Sequence, residues 1–300
     1  MRILFVGGSS FTGYYFVRRL AEAGHEVHVT FTGNLDSYSG LRRRRVEDLL
    51  KVSFVHWGVE FGDQNFIELL RRGFNTLAIH FAYMEEYRSS SFDLMKALHI
   101  NTNNIEGISK EFALSGGHRI VYTGTVFEPN EGVSEDLARA FSPYGLSKSI
   151  TSEIVSYWAR INKLQFSKFI ISNPFGPLED AKFTRYLIET WINKEEVVVK
   201  TPRYIRDNIH VTILAENYCR FIESEDDRAA PSGFAESQGD FVKRCAREIG
   251  GRTGLECNFI ELEQTVFIEP MIRVNPGTSY IKDLTKLESL AWDSIAWNYV

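Results

Sequence analysis

The sequence is poor in cysteine and has no long apolar run. Its three cysteines, Cys219, Cys245 and Cys257, are an odd number at wide spacings, without a C-x-x-C pair or a histidine at metal-ligand spacing. Neither a disulfide framework nor a metal site is therefore predicted. The opening segment M-R-I-L-F-V-G is too short an apolar run for a signal peptide or a membrane span. We expect a cytoplasmic protein without membrane association.

Positive charge is not in excess either. The chain has 34 Lys and Arg residues against 39 Asp and Glu residues, a formal net charge of −5. Such a chain has no general attraction for nucleic acid or anionic membranes, so any recognition of phosphate must come from local groups. The 300 residues, 44% of them hydrophobic, are enough for a full core. Internal repeats and low-complexity tracts are lacking.

Short apolar runs alternate with longer amphipathic stretches in the first half of the chain. Strands are predicted at 3–6, 26–31, 52–55, 76–81, 119–123 and 169–172, and helices at 12–23, 66–72, 92–114 and 144–163. Continuous apolar strands separated by helices are typical of a parallel sheet with helices on both faces. The predicted fold class is therefore α/β, with a doubly wound parallel sheet.

Beyond the turn N-P-F-G-P the alternation loosens. A helix at 182–194 and a short strand at 197–200 are predicted, and the segment 206–211 with the helix after it is expected to return to the sheet. We predict a first domain over residues 1–172, to which 206–224 contributes. A smaller domain over 173–300 is interleaved with it.

The first predicted strand ends in G-G-S-S-F-T-G, and an amphipathic helix follows at once. Glycines let the backbone approach a pyrophosphate, and the free N–H groups of the helix N-terminus attract its charge. An ordinary strand-to-helix turn is the alternative. Ser10 stands where a G-x-x-G-x-x-G pattern has its middle glycine. The predicted dinucleotide contacts here are Gly7, Ser9, Ser10, Phe11, Thr12 and Gly13.

The second predicted strand lacks the acid that usually binds the adenosine ribose. It ends in T-F-T-G-N, and no carboxylate follows before Asp36. Without that acid the 2′-phosphate of NADP is not repelled, and one of the four arginines at 42–45 is placed to reach it. The alternative is that these arginines form only a solvated helix face. Thr32 and Arg42 are the predicted contacts, and NADP is favoured over NAD.

The segment S-P-Y-G-L-S-K places a tyrosine and a lysine four residues apart at a predicted helix start. Tyr144 and Lys148 then lie on one helix face, near the positive end of the helix dipole. Both the dipole and the ammonium group favour a phenolate, so Tyr144 is a candidate proton carrier. A half-buried tyrosine with a snorkelling lysine is the alternative. Thr123 and Thr125, at the end of the fifth strand, are placed to hold a substrate oxygen.

Taken together, these motifs resemble those of the extended short-chain dehydrogenase/reductases, a family with a Rossmann sheet that includes nucleotide-sugar epimerases, dehydratases and reductases. The resemblance covers nearly the whole chain and rests on G-G-S-S-F-T-G (7–13), I-H-F-A (79–82), Asn101, V-Y-T-G-T-V-F (121–127), Y-G-L-S-K (144–148), N-P-F-G-P (173–177) and R-D-N-I-H-V (206–211).

The resemblance implies a role for each matching position. Thr123 is the catalytic hydroxyl, Tyr144 the general acid/base, and Lys148 the residue that holds the nicotinamide ribose. Further cofactor contacts implied are Phe81, Ala82, Asn101, Pro174 and Phe175, with Asp63 and Val59 as competing candidates for the adenine. Substrate contacts implied are Tyr83, Thr125, Asn173 and the arginine pair Arg206 and Arg273, which would grip the diphosphate of a nucleotide sugar.

The residues after Thr123 discriminate between reactions within the family. Gly124 and Thr125 stand where dehydratases have a proton-shuttling Asp-Glu pair, which disfavours dehydratase and decarboxylase chemistry unless another carboxylate is supplied. We therefore predict a 4-keto-sugar reductase, with a 4-epimerase that retains NAD as the alternative. A dinucleotide-binding regulator without turnover is a third hypothesis. We also expect a homodimer formed through the helices at 92–114 and 144–163.

Overall fold

The computed structural model describes residues 1–80, 92–135, 139–277, 279–281 and 284–299. Its strands are β1 (Arg2–Val6), β2 (Glu26–Phe31), β3 (Phe54–Trp57), β4 (Thr76–Ile79), β5 (Arg119–Thr125), β6 (Gln165–Ile171), β7 (Asn173–Phe175), β8 (Val197–Val199), β9 (Ile205–His210), β10 (Arg228–Ala229), β11 (Phe234–Ser237), β12 (Phe259–Glu261) and β13 (Ile272–Arg273).

The helices alternate with these strands through the first half of the chain. They are α1 (Phe11–Glu22), α2 (Gly40–Leu49), α3 (Gln64–Leu70), α4 (Leu94–Asn101), α5 (Ile105–Leu114), α6 (Pro143–Ile161), α7 (Phe183–Ile192), α8 (Val211–Glu223), α9 (Gln238–Thr253) and α10 (Thr285–Tyr299), with a 3₁₀ turn at Leu35–Ser37.

A parallel sheet of seven described strands forms the centre of the molecule, in the order β10-β6-β5-β4-β1-β2-β3. The apolar side chains of its strands are buried on both faces. One face packs against α1, α2 and α8, and the other against α3, α5 and α6. The predicted doubly wound α/β fold is confirmed, and α8 lies against the sheet as expected. The expectation that the segment 206–211 also returns to this sheet is wrong, because its backbone pairs with β7, β11 and β13 in a smaller sheet.

The helix predicted at 92–114 is wrong as a single element, because the chain breaks between α4 and α5. Asn104 adopts a left-handed conformation with φ of 50°, which a continuous helix does not allow. The carboxamides of Asn103 and Asn104 donate to the carbonyl oxygens of Phe61 and Gly62 at 3.0 and 3.2 Å. These hydrogen bonds replace the helical ones and attach the break to the loop after β3.

The second half of the chain builds smaller sheets around β9. Strand β9 pairs with β7, β11 and β13, while β12 pairs with β8. A separate apolar cluster surrounds Phe175, Trp191 and Trp292. The buried carboxylate of Asp207 accepts from the backbone N–H groups of Gly233 and Asn275 at 2.7 and 3.0 Å, which joins three segments. The domain division at residues 172 and 173 stays a prediction, and β10 returns the chain to the large sheet.

None of the described helices combines the length and the apolar composition that a bilayer-spanning segment requires.

Candidate active site

A cavity of about 850 Å³ opens at the carboxyl ends of the central strands. Its lining includes Val6 at the end of β1, His80 after β4 and Ile171 at the end of β6. This is the edge at which doubly wound sheets bind their ligands. The turn after β1 and the first turns of α1 and α6 all contribute to the same cavity.

The turn after β1 forms a tight backbone cradle. Gly7 has φ of +93°, and a Cβ atom on Gly13 would come within 2.3 Å of the Gly7 carbonyl oxygen, so both positions require glycine. Ser10 has φ of −70° and therefore needs no glycine. Its Oγ caps α1 by accepting from Gly13 N–H at 3.1 Å and donates to the Gly7 carbonyl at 2.8 Å.

The predicted cradle residues reach the cavity with one exception. Those that line it are Gly7, Ser9, Ser10, Phe11 and Thr12. Gly13 is not part of the lining, and its role is to let the helix approach the strand. Thr12 is buried, and its Oγ1 lies 2.9 Å from His80 Nε2. Burial lowers the pKa of His80 to about 3, so this imidazole is neutral.

The sequence leaves open which arginine of the 42–45 run reaches the ligand, and the structure places two of them in the cavity. Arg42 and Thr32 both line it, and Arg42 donates from Nε and Nη2 to Ser9 Oγ at 3.0 and 2.8 Å. Its guanidinium also lies 5.1 Å from the centre of the Tyr38 ring. Arg43 instead pairs with Glu47 at 2.8 Å on the helix surface.

Arg45, in contrast, is buried and connects three segments. It donates from Nε to the Ser9 carbonyl at 3.0 Å, from Nη1 to the Leu178 carbonyl at 2.7 Å, and to Asp180 Oδ1 at 3.1 Å. Because Arg45 is buried, it does not belong to a solvated helix face, which was the alternative interpretation of the arginine run. Arg45 attaches the segment after β7 to the phosphate cradle.

The tyrosine and lysine of the Y-G-L-S-K segment both lie in the cavity wall. Ser142 caps α6 by accepting from Gly145 N–H at 3.1 Å, and Pro143 occupies the first turn, so Tyr144 lies at the positive helix end as predicted. Tyr144 is 7% exposed and Lys148 3% exposed. Both side chains line the cavity.

Lys148 is held beneath the cavity floor by backbone oxygens. Its Nζ donates to the carbonyl oxygens of Thr123 and His80 at 2.5 and 3.4 Å, and lies 4.6 Å from the centre of the Tyr122 ring. Burial lowers the pKa of Lys148 to about 7, and the nearby Glu128 carboxylate opposes this effect. The ammonium group is therefore close to balance between its charged and neutral forms at neutral pH.

The two threonines at the end of β5 line the cavity, and a carboxylate lies close behind them. Thr123 and Thr125 are 1% and 2% exposed. A Cβ on Gly124 would come within 2.8 Å of Glu128 Oε1, so Glu128 occupies the space beside Gly124. Its carboxylate is fully buried, accepts from Thr125 N–H at 2.8 Å and from Lys168 Nζ at 2.6 Å, and is not part of the cavity lining.

The remaining lining fits a dinucleotide. Asn173, Pro174 and Phe175 of β7 line the cavity as the sequence predicts. Asn208 lines it as well, and its buried Nδ2 makes no hydrogen bond within the described part of the chain. A cradle that requires glycine, a helix N-terminus, a lysine and an orphaned amide donor match a ligand rich in phosphate and ribose oxygens.

Besides Gly13, four of the predicted contacts in the described part of the chain do not line the cavity. Asp63 caps α3 by accepting from Phe66 N–H at 2.6 Å, whereas its competitor Val59 does line the cavity. The buried Asn101 donates to the Ala97 carbonyl at 2.8 Å within α4. The other two are Arg206 and Arg273, which are buried in the smaller sheet.

Phe81, Ala82 and Tyr83 lie outside the described residues, so their predicted contacts stay predictions.

One lining residue carries chemistry that the sequence reasoning missed. Glu179 lies in the segment P-L-E-D that follows β7, where the sequence predicts a turn over N-P-F-G-P. It is 1% exposed and lines the cavity. A glutamate followed by an aspartate, two residues after a proline, is typical of a solvated turn, so the local sequence gives no signal of its burial.

Among the described residues, His25, Cys219 and Glu223 are close enough to share a cation. The separations are 3.4 Å between His25 Nε2 and Glu223 Oε1, and 3.9 Å between Cys219 Sγ and Glu223 Oε1. The group is absent from the cavity lining. The cationic Arg19 and the N-terminal amine face His25 and oppose the binding of a further cation.

Comparisons with known proteins identify the family of this chain. Residues 3–234 match the model of the NAD dependent epimerase/dehydratase family. The sequence matches none of the curated proteins with which it was compared.

Several solved structures share the fold. UDP-glucose 4-epimerase from Thermotoga maritima, solved with UDP-glucose, has 19% identity and a TM-score of 0.72, covering 100% of this chain and 98% of its own. UDP-glucuronic acid 4-epimerase from Bacillus cereus has 14% identity and a TM-score of 0.74, with the same coverage. The dTDP-glucose 4,6-dehydratase DesIV from Streptomyces venezuelae has 15% identity and a TM-score of 0.72, covering 99% of this chain and 96% of its own.

At these identities the likeness shows the fold, and the family match over most of the chain decides the membership. The protein belongs to the NAD dependent epimerase/dehydratase family, a family of enzymes.

Proposed function

We propose that the protein is an NAD(P)-dependent oxidoreductase of nucleotide-diphosphate sugars, and in the first place a 4-keto-sugar reductase. The observation that carries the proposal is the meeting of Thr123, Tyr144 and Lys148 in one cavity with the phosphate cradle. These groups suffice for hydride exchange at a single carbon, because the dinucleotide supplies the hydride when it is bound.

Each side chain has one task in this proposal. Thr123 holds the sugar oxygen at the end of β5. Tyr144 gives its phenolic proton to that oxygen, as expected for a general acid at a helix N-terminus. The Lys148 ammonium binds ribose hydroxyls by giving up one of its hydrogen bonds to a backbone carbonyl. Its positive charge also favours the phenolate that remains on Tyr144 after proton transfer.

The surroundings of Gly124 support hydride exchange over dehydration. A dehydratase needs a carboxylate that exchanges protons with the sugar. Glu128, the carboxylate beside Gly124, has no exposed surface, and its oxygens are bound by Lys168 and the Thr125 N–H. A carboxylate held by a buried ammonium in this way is not available as a proton shuttle.

Arg42 supports NADP and hence the reductase. It lines the cavity together with Thr32 of the segment after β2, and that segment has no carboxylate before Asp36. A guanidinium at this place binds a 2′-phosphate by charge-assisted hydrogen bonds. The second candidate function is a 4-epimerase with retained NAD, which is favoured by the similarity of the fold to several UDP-sugar 4-epimerases.

The cofactor content of the purified protein distinguishes the two candidates. The protein is denatured, any released dinucleotide is identified, and the stripped protein is titrated with NADPH and NADH. The reductase predicts an empty site that binds NADPH reversibly and oxidises it when a 4-keto-6-deoxy sugar nucleotide is added. Stoichiometric, slowly exchanging NAD would instead establish the epimerase.

We further propose a homodimer in a reducing cytoplasm. The three cysteines are free thiols, as a reducing compartment allows.

Helices α5 and α6 leave Leu114, Tyr157 and Ile161 exposed, with Ile154 and Trp158 partly buried beside them. Packing two copies through these helices would cover that apolar surface. Light scattering on the native protein, compared with a Tyr157→Glu variant, tests the dimer.

A further inference from the structure

The segment from Gly176 to Lys182, here called the strap, connects β7 to α7 along the cavity. The Tyr15 hydroxyl of α1 donates to the Pro177 carbonyl at 2.9 Å, and the Tyr299 hydroxyl of α10 donates to the Gly176 carbonyl at 3.0 Å. Arg45 holds the strap at Leu178 and Asp180, as described above. Three helices therefore fix the strap beside the phosphate cradle.

Glu179 is the buried side chain at the centre of the strap. It lines the cavity together with Phe11 of the cradle. Neither of its carboxylate oxygens has a hydrogen-bond partner of ordinary geometry within the described residues. A polar group in such a position normally has a partner, so the missing partner is expected to be a ligand.

The charged and titratable groups around Glu179 come from every packed element. Lys182 of the strap and Arg185 of α7 favour its ionised form, and the backbone groups of Gly176 and Arg185 act in the same direction. Tyr15 of α1, Tyr299 of α10 and Cys245 of α9 face it with groups that are neutral at pH 7. Burial outweighs the cations and raises the pKa of Glu179 to about 8.

A carboxylate at this place would repel a pyrophosphate that binds at the N-terminus of α1. A neutral carboxylic acid instead offers an O–H donor. We infer that Glu179 is a dinucleotide-binding residue that acts as a neutral acid, donating a hydrogen bond to an acceptor oxygen of the bound dinucleotide. The inference rests on the proposed dinucleotide site, and the sugar substrate does not enter it.

The test measures NAD and NADP affinity by calorimetry from pH 6.5 to 9.5 in the wild-type protein, Glu179→Gln and Glu179→Met. Glutamine keeps a donor and cannot ionise, whereas methionine removes the donor at similar volume. For wild type the dissociation constant is expected to rise about 30-fold relative to Glu179→Gln at pH 9.5, because ionisation above pH 8 removes the donor. Glu179→Met is expected to bind about tenfold more weakly already at pH 6.5.

Lys148 also loses its proton in this pH range, but it does so equally in all three proteins. The ratio of wild-type to Glu179→Gln affinity therefore isolates Glu179. A pH-independent ratio would overturn the inference while leaving the dinucleotide site intact. Failure of all three proteins to bind NAD or NADP at any pH would overturn the proposed function and the inference together.

Unfolding of the ligand-free protein gives a readout that needs no cofactor. A carboxyl whose pKa is higher in the folded than in the unfolded state costs stability as the pH rises from about 4.5 to 8. The free energy of unfolding of wild type relative to Glu179→Gln should therefore fall across this range and level off above it. A constant difference would show that the carboxyl is not held neutral and would contradict the inference.

Discussion

Arg42 of α2 donates two hydrogen bonds to the Ser9 hydroxyl, at 3.0 Å from Nε and 2.8 Å from Nη2. The contact orients the guanidinium along the phosphate cradle at the end of the cavity reached by β2. Arg42 is the residue proposed to bind the 2′-phosphate of NADP, so its substitution gives the most direct test of cofactor preference.

Replacing Arg42 with Gln should weaken NADPH binding about 10- to 100-fold and leave NADH binding within about twofold. The reason is the loss of charge-assisted hydrogen bonds to the 2′-phosphate, which NADH lacks. Fluorescence titration of the stripped protein measures both affinities. Arg44→Gln, an exposed position on the same helix outside the cavity lining, is the matched control. An equal loss of NADPH and NADH affinity would show that Arg42 supports the cradle and does not bind the 2′-phosphate.

Replacing Tyr144 with Phe should reduce turnover about 10²- to 10⁴-fold, because the proton donor is removed. Dinucleotide affinity should stay near the wild-type value, since the ring remains in the cavity wall. Tyr157→Phe, exposed on the same helix, controls for the loss of a hydroxyl. Unchanged turnover in Tyr144→Phe would leave the non-catalytic regulator as the better hypothesis.

Arg206 and Arg273 are register partners on the parallel strands β9 and β13, so their side chains leave the sheet on one face. Arg206 is held by Glu269 at 2.9 Å, and the Arg273 guanidinium lies 4.9 Å from the Phe141 ring centre. If they grip a diphosphate, Arg206→Gln should weaken UDP binding about 10- to 100-fold with NADH affinity unchanged.

Two further variants sharpen this test. Arg203→Gln, an exposed arginine near the same strand, should leave UDP affinity unchanged. Glu269→Gln should strengthen UDP binding. Arg206 must leave residue 269 to bind the phosphate, and its interaction with a neutral glutamine is weaker than its ion pair with Glu269. Calorimetry with UDP measures all three proteins. A similar loss of UDP affinity in Arg203→Gln and Arg206→Gln would indicate a general effect of positive charge and would contradict diphosphate binding by the arginine pair.

Acid stability should depend on His210, whose Nδ1 accepts from Thr212 N–H at the start of α8. Burial lowers its pKa to about 3, below the unfolded value near 6.5. The folded state then binds fewer protons between these pH values, so stability is lost as the pH falls through this range.

His210→Asn keeps a capping acceptor but cannot take up a proton. Its free energy of unfolding should therefore decrease about 2 to 3 kcal/mol less than that of wild type between pH 7.5 and pH 4.5. Urea denaturation at the two pH values measures this difference, with the exposed His118→Asn as control. Parallel losses in wild type and His210→Asn would rule out this histidine as a source of acid lability.

The first five strands of the large sheet could be predicted from the sequence to within two or three residues. The start of β6 was missed because its polar first half, from Gln165, does not read as apolar, and the two-residue strand β10 was not predicted. The cradle and the Tyr144–Lys148 pair could also be predicted from the sequence, because each follows from a local motif. The features that could not be predicted from the sequence depend on contacts between distant segments. The break at Asn104 requires acceptors from the loop after β3, and the burial of Glu179 requires three helices from other parts of the chain.

Strand β13 joins the smaller sheet through its pairing with β9, far earlier in the chain. Asn275, just after it, donates to the carbonyl oxygens of Ile170 and Pro231 at 2.9 and 3.0 Å. During synthesis the ribosome therefore releases the cradle and Tyr144 long before Arg273, which is proposed to bind the diphosphate. A nascent chain would acquire dinucleotide affinity first and sugar-nucleotide affinity last, so ribosome-stalled intermediates should retain the cofactor while ignoring the substrate.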